Sequence, residues 1–233
     1  MMDIPSTHIG IIVVAAGSGH RFGGDVPKQF RLLAGRPMLM HTIDAFRTAL
    51  PDASIVVALS PDMKAYWASL CSEYNFASPP VAEGGATRCE SVYKALSALP
   101  SDINIILVHD GGRPIVSPQL IHRVADGAAA SKAVVPAIPV TDSLRRADTG
   151  KAVDRSIFRA VQTPQGFDAH VLRNAYSAIN CADPMLTDDA SVVEQSGVQV
   201  TMVDGDAHNI KITWPGDIAL AETILKLNNA GIQ

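Results

Sequence analysis

Arg21 and Lys28 are the first residues of this chain whose type and spacing suit a chemical task. They follow an apolar run at 9–16 with the length and β-branched content of a buried strand, and a glycine-rich turn lies between. A strand that empties into such a loop brings backbone N–H groups up to an anion. Glycines permit close approach because no Cβ intervenes. A guanidinium and an ammonium would add full charges to those dipoles, so the stretch suits a nucleotide whose phosphates meet Arg21 and Lys28. The alternative is an ordinary strand with a surface loop and solvated cations. Two better-known phosphate motifs fail. Phe22 stands where the third glycine of the dinucleotide fingerprint belongs, and Gly24 is followed by Asp25 rather than by the Lys-Ser/Thr of a P-loop.

Other charged residues fall where an α/β sheet binds ligands. A strand at 103–108 runs into His109-Asp110-Gly111-Gly112-Arg113-Pro114. Ligands of open α/β sheets sit at the carboxyl ends of strands, and an Asp there suits a Mg²⁺ or a substrate hydroxyl. Its competing use is an Asx-type turn to the local backbone. Arg113 either pairs with Asp110 or faces a phosphate, and His109 reads as a packing histidine. Arg88 and Ser91 occupy the first turn of a helix announced by the capping box Thr87-Arg88-Cys89-Glu90, which makes Glu90 structural. That turn either meets a nucleotide or is simply exposed. Lys211, between Ile210 and Ile212 in a short strand at 209–213, is an edge guard or a phosphate ligand.

The elements that must position these residues alternate. Leu39, Ile43, Phe46 and Leu50 mark one helix face. A strand at 55–59 follows, then a helix opened by Ser60-Pro61 and ending near Tyr74. Val81 closes a short strand, and the helix after Thr87 buries Val92, Leu96 and Leu99. Ser117-Pro118 caps another helix before a strand at 133–136. This rhythm predicts an α/β fold: a mostly parallel sheet with helices on both faces. At 137–167 the rhythm breaks into extended pieces, with Asp148-Thr149-Gly150 as a hairpin tip. The expectation is a protruding β-hairpin arm at about 137–160 that packs on a second subunit. Arg145, Arg146, Arg155 and Arg159 make it basic, for solvent or for a phosphorylated substrate. Helices resume at 168–179 and 188–195, the latter capped by Thr187. A strand at 198–203 and a helix from Pro215 to about Leu227 complete the chain.

With 233 residues, 47% of them apolar, the chain reads as a single domain with an appendage. A net charge of −4 and 5% aromatics argue against general nucleic-acid binding. Cys71, Cys89 and Cys181 show no metal spacing and read as reduced cysteines of a cytoplasmic protein. Nothing basic precedes Arg21, and the run at 9–16 is too short to span a bilayer, so neither a signal peptide nor a membrane helix is expected.

Several stretches taken in order resemble a known family. They are Ala15-Ala16-Gly17-x-Gly19-x-Arg21, Pro27-Lys28-Gln29, His109-Asp110-x-x-Arg113-Pro114, Val153-Asp154-Arg155, Gln162-Thr163-Pro164-Gln165, Thr187-Asp188-x-Ala190-Ser191 and Asn209-Ile210-Lys211-x-Thr213. Their spacing resembles the 2-C-methyl-D-erythritol 4-phosphate cytidylyltransferases. The resemblance implies a Rossmann-like nucleotidyltransferase, homodimeric through the hairpin arm, that uses Mg²⁺ and joins CTP to a sugar-alcohol phosphate, releasing pyrophosphate. It implies that Arg21 and Lys28 stabilise the transition state and that Ala15, Ala16, Gly17, Gly85 and Ser91 contact CTP. It implies that Arg155, from the partner's arm, and Lys211 hold the substrate phosphate, with Asp110 near substrate and metal and Ser143 nearby on the arm. His20, Gly111-Gly112 and Ser143 depart from the family's common residues, and none removes a residue assigned to chemistry. A ribitol 5-phosphate cytidylyltransferase, or a nucleotide-binding regulator without catalysis, are the competing readings.

Overall fold

The computed structural model describes residues 9–17 and 26–229. Gly19, His20 and Arg21 therefore lie outside the described residues. The elements in order are β1 (Ile9–Val14), β2 (Leu32–Leu33), β3 (Arg36–Pro37), α1 (Met38–Ala49), β4 (Ser54–Leu59), α2 (Lys64–Glu73), β5 (Val81–Glu83), α3 (Arg88–Leu96), β6 (Ile105–Asp110), α4 (Pro118–Ser131) and β7 (Ala133–Pro139). Then come β8 (Arg159–Val161), β9 (Gln165–Asp168), α5 (Ala169–Ala178), α6 (Asp189–Gln195), β10 (Thr201–Asp204) and α7 (Asp217–Asn229).

The main sheet runs β10-β7-β9-β6-β1-β4-β5, with β8 paired to β7. β1 pairs in parallel with β4 and β6, β4 with β5, and β10 with β7, while β9 lies antiparallel between β6 and β7. The sheet is thus mostly parallel and covered on both faces. Period-2 alternation explains this: Ile11 and Val13 pack with Ile43, Phe46, Trp67 and Val124 on one face. Ile12 packs with Val92, Leu96, Leu172 and Val193 on the other. β4 and β6 flank β1 on opposite sides, so the chain reverses its winding direction there. Such a reversal opens a crevice at the carboxyl ends of the strands.

Local signals place most elements where the sequence puts them. Ser117 caps α4, with Pro118 in its first turn, and Asp168 caps α5. Four expectations are corrected. The cap of α6 is Asp188, not Thr187, because Asp188 and Ser191 form a reciprocal box. Thr87 caps α3, but the Glu90 carboxylate accepts from the Ala86 N–H rather than from the cap residue. α7 begins two residues after Pro215, since the Asp217 carboxylate takes the Thr213 and Trp214 N–H groups first. Residues 209–213 form no strand; Ile212 instead donates its N–H to Gly112 and buries its side chain against α7.

The excursion between β7 and β8 is less regular than a two-stranded arm. One isolated bridge joins Arg145 and Ala152, with flanking backbone bonds from Arg146 to Lys151 and from Val153 to Leu144. Its residues are largely exposed, Ile157 by 76%. A strand needs neighbours on both sides or a face to bury, and this segment has neither within the chain.

The cysteines also differ from expectation. Cys89 in α3 and Cys181 before α6 form a disulfide that closes 92 residues of chain, leaving Cys71 as a thiol. Sequence spacing gave no hint, because the pair meets only through the packing of α3 against α5 and the segment that follows it. Loop closure restricts the unfolded chain, so adding a thiol reductant should lower stability by about 2–4 kcal/mol. Urea unfolding with and without reductant measures this, and Cys181→Ser should match the reduced protein and ignore the reductant.

Candidate active site

The site is built at the carboxyl edge of β1 and β6. Val14 and Asp110 are register partners, and Gly111 donates its N–H to the Val14 carbonyl, so the two strands release their loops side by side. The first loop carries Ala15, Ala16 and Gly17. Buried Gln29 reaches up from the turn beside Lys28 and donates to the Ala15 carbonyl at 2.7 Å and the Gly17 carbonyl at 3.1 Å. The loop is therefore held by its acceptors. Gly84 lies against it so closely that an added Cβ would stand 2.4 Å from the Ala16 Cβ. Gly85 is equally constrained, since a Cβ there would meet the Glu90 Cβ at 2.2 Å. Small residues at this rim are thus a packing requirement that also leaves backbone accessible.

Ser91 is buried. Its hydroxyl accepts from the Gly85 N–H at 3.0 Å and donates to the Thr87 carbonyl at 2.9 Å, tying the Gly85 loop to the first turn of α3.

Asp110 is the centre of the charge arrangement. Its carboxylate does not form the Asx turn that competed in sequence; it meets cations instead. Lys211 Nζ lies 2.7 Å from Oδ2, Arg88 Nε 3.4 Å from Oδ1 and Arg113 Nε 3.8 Å from Oδ2. Arg88 also donates to wholly buried Asp189 at 2.7 Å, and Asp189 accepts in turn from the Tyr176 hydroxyl at 2.7 Å. Two carboxylates thus face three cations and leave a positive excess. Burial opposes ionisation of Asp110, but the charges of Arg88, Lys211 and Arg113 outweigh it and hold the carboxyl well below the usual range.

Lys28 joins this group. Its ammonium donates to the Ile212 carbonyl at 2.6 Å, on the segment that carries Lys211. Gly112 lies against the lysine, since a Cβ there would stand in ordinary contact with Lys28 Nζ at 3.4 Å. Lys28, Asp110 and Lys211 come from distant parts of the chain to one edge. Ser143 and Arg155 sit apart on the exposed excursion, where the Arg155 guanidinium donates to the Thr141 carbonyl.

His109 is a packing histidine, as its sequence context suggests. It is fully buried, with its ring edge-on to Phe46 at 4.9 Å between centroids. Its Nε2 meets the Arg113 carbonyl at 3.0 Å, which places the proton on that nitrogen. Nδ1 then accepts from the Thr163 hydroxyl at 3.1 Å, and Thr163 accepts from the Asp110 N–H at 3.1 Å. This relay fixes the backbone at Asp110 and uses the neutral ring. Burial depresses the His109 pKa to about 4, against weaker opposition from the Arg113 carbonyl and Asp110. The folded state therefore resists a proton that the unfolded chain accepts below pH 6.5. Stability is flat above that pH and falls as pH drops from 6.5 towards 4. The expected loss is about 2 kcal/mol by pH 5, at about 1.4 kcal/mol per unit. His41, also depressed by burial, acts in the same direction. Urea unfolding from pH 7.5 to 5 measures the slope, and His109→Asn should remove most of it.

Asp189, Tyr176, Thr163 and Gln29 were not singled out as site residues from sequence. Asp189 occupied the unspecified position of Thr187-Asp188-x-Ala190-Ser191, where a carboxylate reads as ordinary first-turn charge on a helix. Gln162 and Gln165 are staples. Gln162 exchanges bonds with the backbone of Asp206, and Gln165 bridges Asp188 and the Ala190 N–H. Among the described residues, no group of three or more His, Cys, Asp and Glu side chains is placed to hold a metal. No helix among them is long and apolar enough to cross a membrane.

A doubly wound sheet with a small-residue rim and a surplus of cations at its switch point defines a nucleotide-handling α/β protein. Comparison with known proteins sharpens that class. The family model for 2-C-methyl-D-erythritol 4-phosphate cytidylyltransferase matches residues 9–227. The enzyme of that name from Azobacteroides pseudotrichonymphae is 44% identical over 219 residues, covering 92% of this chain and 97% of its own. The crystal structure of the Thermus thermophilus cytidylyltransferase superposes with a TM-score of 0.76 at 37% identity, covering 94% of this chain and 99% of that one. The Anaerococcus prevotii 4-diphosphocytidyl-2C-methyl-D-erythritol synthase gives 0.79 at 26% identity, covering 95% and 97%. This chain belongs to the 2-C-methyl-D-erythritol 4-phosphate cytidylyltransferase family, and so to the nucleotidyltransferases.

Proposed function

We propose that this chain joins CTP and 2-C-methyl-D-erythritol 4-phosphate, giving 4-diphosphocytidyl-2-C-methyl-D-erythritol and pyrophosphate. The observation that carries the reading is the cationic edge around Asp110, where Lys28, Arg88, Arg113 and Lys211 converge in a chain of this family. An oxygen of the sugar phosphate attacks the α-phosphorus of CTP. The bond from that phosphorus to the bridging oxygen breaks, and pyrophosphate leaves with the electron pair. The nucleophile is already an anion at neutral pH, so no general base is needed. The work lies in bringing two anions together and offsetting the charge that grows on the α-phosphate and the leaving group.

Lys28 supplies a compact charge to those oxygens, and Arg21, outside the described residues, takes the same task by family resemblance. Ala15, Ala16, Gly17 and Gly85 offer backbone to the base and ribose of CTP, and Ser91 holds the Gly85 loop for it. Lys211 binds the sugar phosphate. Asp110 orients the substrate and is the carboxylate that would hold Mg²⁺. Asp110 suits that role as a hard oxygen donor at a strand end, with 3.4 Å between its Oδ1 and Arg88 Nε. When bound, Mg²⁺ offsets charge along the triphosphate.

The excursion at 140–158 gives the second substrate contact. Ile157 and Phe158 are exposed there, and apolar surface of that kind suits a subunit contact. The working unit is then a homodimer of single nucleotidyltransferase domains. Arg155 of each arm, with Ser143 nearby, reaches the sugar phosphate in the partner's site.

Pyrophosphate release from CTP and Mg²⁺, with and without 2-C-methyl-D-erythritol 4-phosphate, tests the reading. Release that depends on the sugar phosphate supports it. No release from folded protein, or turnover of ribitol 5-phosphate in preference, overturns it.

A further inference from the structure

Asp189 opens α6, is wholly buried, and has no task in the reaction just described. Its Oδ2 accepts from Arg88 Nη2 at 2.7 Å and its Oδ1 from the Tyr176 hydroxyl at 2.7 Å. The Nε of the same guanidinium faces Asp110 Oδ1 at 3.4 Å. Arg88 therefore bridges two carboxylates, and its short bond goes to the buried one. Lys211 makes the other short bond to Asp110, yet its side chain is 42% exposed. Once Lys211 serves an incoming phosphate, its hold on Asp110 weakens. Arg113 holds Asp110 less directly: its Nη1 is bonded to the Asn209 carbonyl at 2.7 Å, and its Nε, which has no hydrogen-bond partner, stands 3.8 Å from Asp110 Oδ2. Arg88, at 3.4 Å, is then the nearest cation left to steady Asp110, provided that it does not follow Lys211 to the phosphate. Leaving would strand the Asp189 charge in the interior without its countercharge, with the Tyr176 hydroxyl still bonded to it, which is strongly unfavourable.

We propose that Asp189 is a positioning residue: it anchors Arg88 from behind, so that Arg88 keeps Asp110 oriented while Lys211 turns to the substrate phosphate. The proposal rests on the reaction assigned above. It assigns the Arg88–Asp189 pair to the sugar-phosphate half of the site. CTP binding, at the Ala15–Gly17 and Gly85 rim, does not depend on it.

A double-mutant cycle on pyrophosphate release tests this. Wild-type turnover is read first; if it is absent, the assigned reaction fails and the proposal falls with it. Where turnover is present, the variants test Asp189 alone. Asp189→Asn keeps the shape and removes the charge. It should lower kcat/KM for the sugar phosphate roughly 10- to 100-fold, the range that a small misplacement costs, with the KM for CTP within about twofold. In an Arg88→Met background the same substitution should add little further loss, because Asp189 acts through Arg88. Tyr176→Phe removes a hydrogen bond from the same buried carboxylate but leaves the ion pair, so sugar-phosphate kcat/KM should hold. If Asp189→Asn fails to fold, the Arg88→Met/Asp189→Asn double variant, which removes both charges together, is compared with Arg88→Met alone. Equal values support the anchor. Additive losses, an equal loss on the CTP side, or an unchanged Asp189→Asn enzyme would overturn it.

Discussion

Lys28→Ala is expected to slow turnover 10²- to 10³-fold, about 3–4 kcal/mol, by analogy with removal of one oxyanion donor. The ammonium does little for the ground state. Its position is already set by the Ile212 carbonyl at 2.6 Å, on the segment that carries Lys211. It therefore needs no reorganisation when charge builds on the α-phosphate, and this is where fixed charges contribute most. Arginine should not rescue the variant. The ammonium's bond to the Ile212 carbonyl at 2.6 Å suits a compact charge rather than a planar fork. Pyrophosphate release at saturating substrates gives kcat, and circular dichroism checks the fold. Turnover near the wild-type value in a folded Lys28→Ala enzyme would remove Lys28 from the chemistry.

What was legible in the sequence, and what was not, follows from the range of the interactions. β1, β4 and β6 are buried on both faces, so they stand out as unbroken apolar runs. α4 and α5 announce themselves through Ser117 and Asp168. The placement of Asp110 followed from one rule, that sheets bind ligands where strands end. The use of its carboxylate did not. A local Asx turn is written in the neighbouring residues, whereas pairing with Arg88 and Lys211 depends on segments 22 and 101 positions away. Lys211 was marked by its β-branched neighbours, but no strand forms there, so its reading as an edge guard fails. Asp189 was invisible for the same reason as the Cys89–Cys181 pair. Both take their meaning from α3 meeting the segment around α6, and neither leaves a periodic trace. The excursion is a different case: extended pieces around a turn signal suggested a hairpin arm. The single chain gives its strands no face to bury, and one bridge is what forms.

Asp110→Asn should produce the largest combined effect, on stability and on activity. The carboxylate offsets Arg88, Lys211 and Arg113, and its side chain is only 13% exposed. Removing one member of a buried charge cluster leaves the others uncompensated, which costs about 3–5 kcal/mol. The pH dependence distinguishes this from a packing defect. The folded carboxyl titrates well below its unfolded value of about 3.9, so its contribution is complete above that value and declines as pH falls through and beneath it. The gap between wild type and Asp110→Asn should therefore be constant from pH 7.5 to 5. It should narrow by about 1 kcal/mol at pH 3, at about 1.4 kcal/mol per unit. Asp110 also raises the His109 pKa, so both proteins are compared in a His109→Asn background, where that titration is absent. In activity, the asparagine retains the size of the side chain but not the charge that Arg88 steadies and that holds Lys211 until the substrate phosphate arrives. The variant should lose sugar-phosphate turnover by 10²-fold or more while still binding CTP, as expected for a group that orients the reacting partners. A gap in stability that ignores pH between 5 and 3, or near-normal turnover, would show that Asp110 is spectator charge and not the centre of the site.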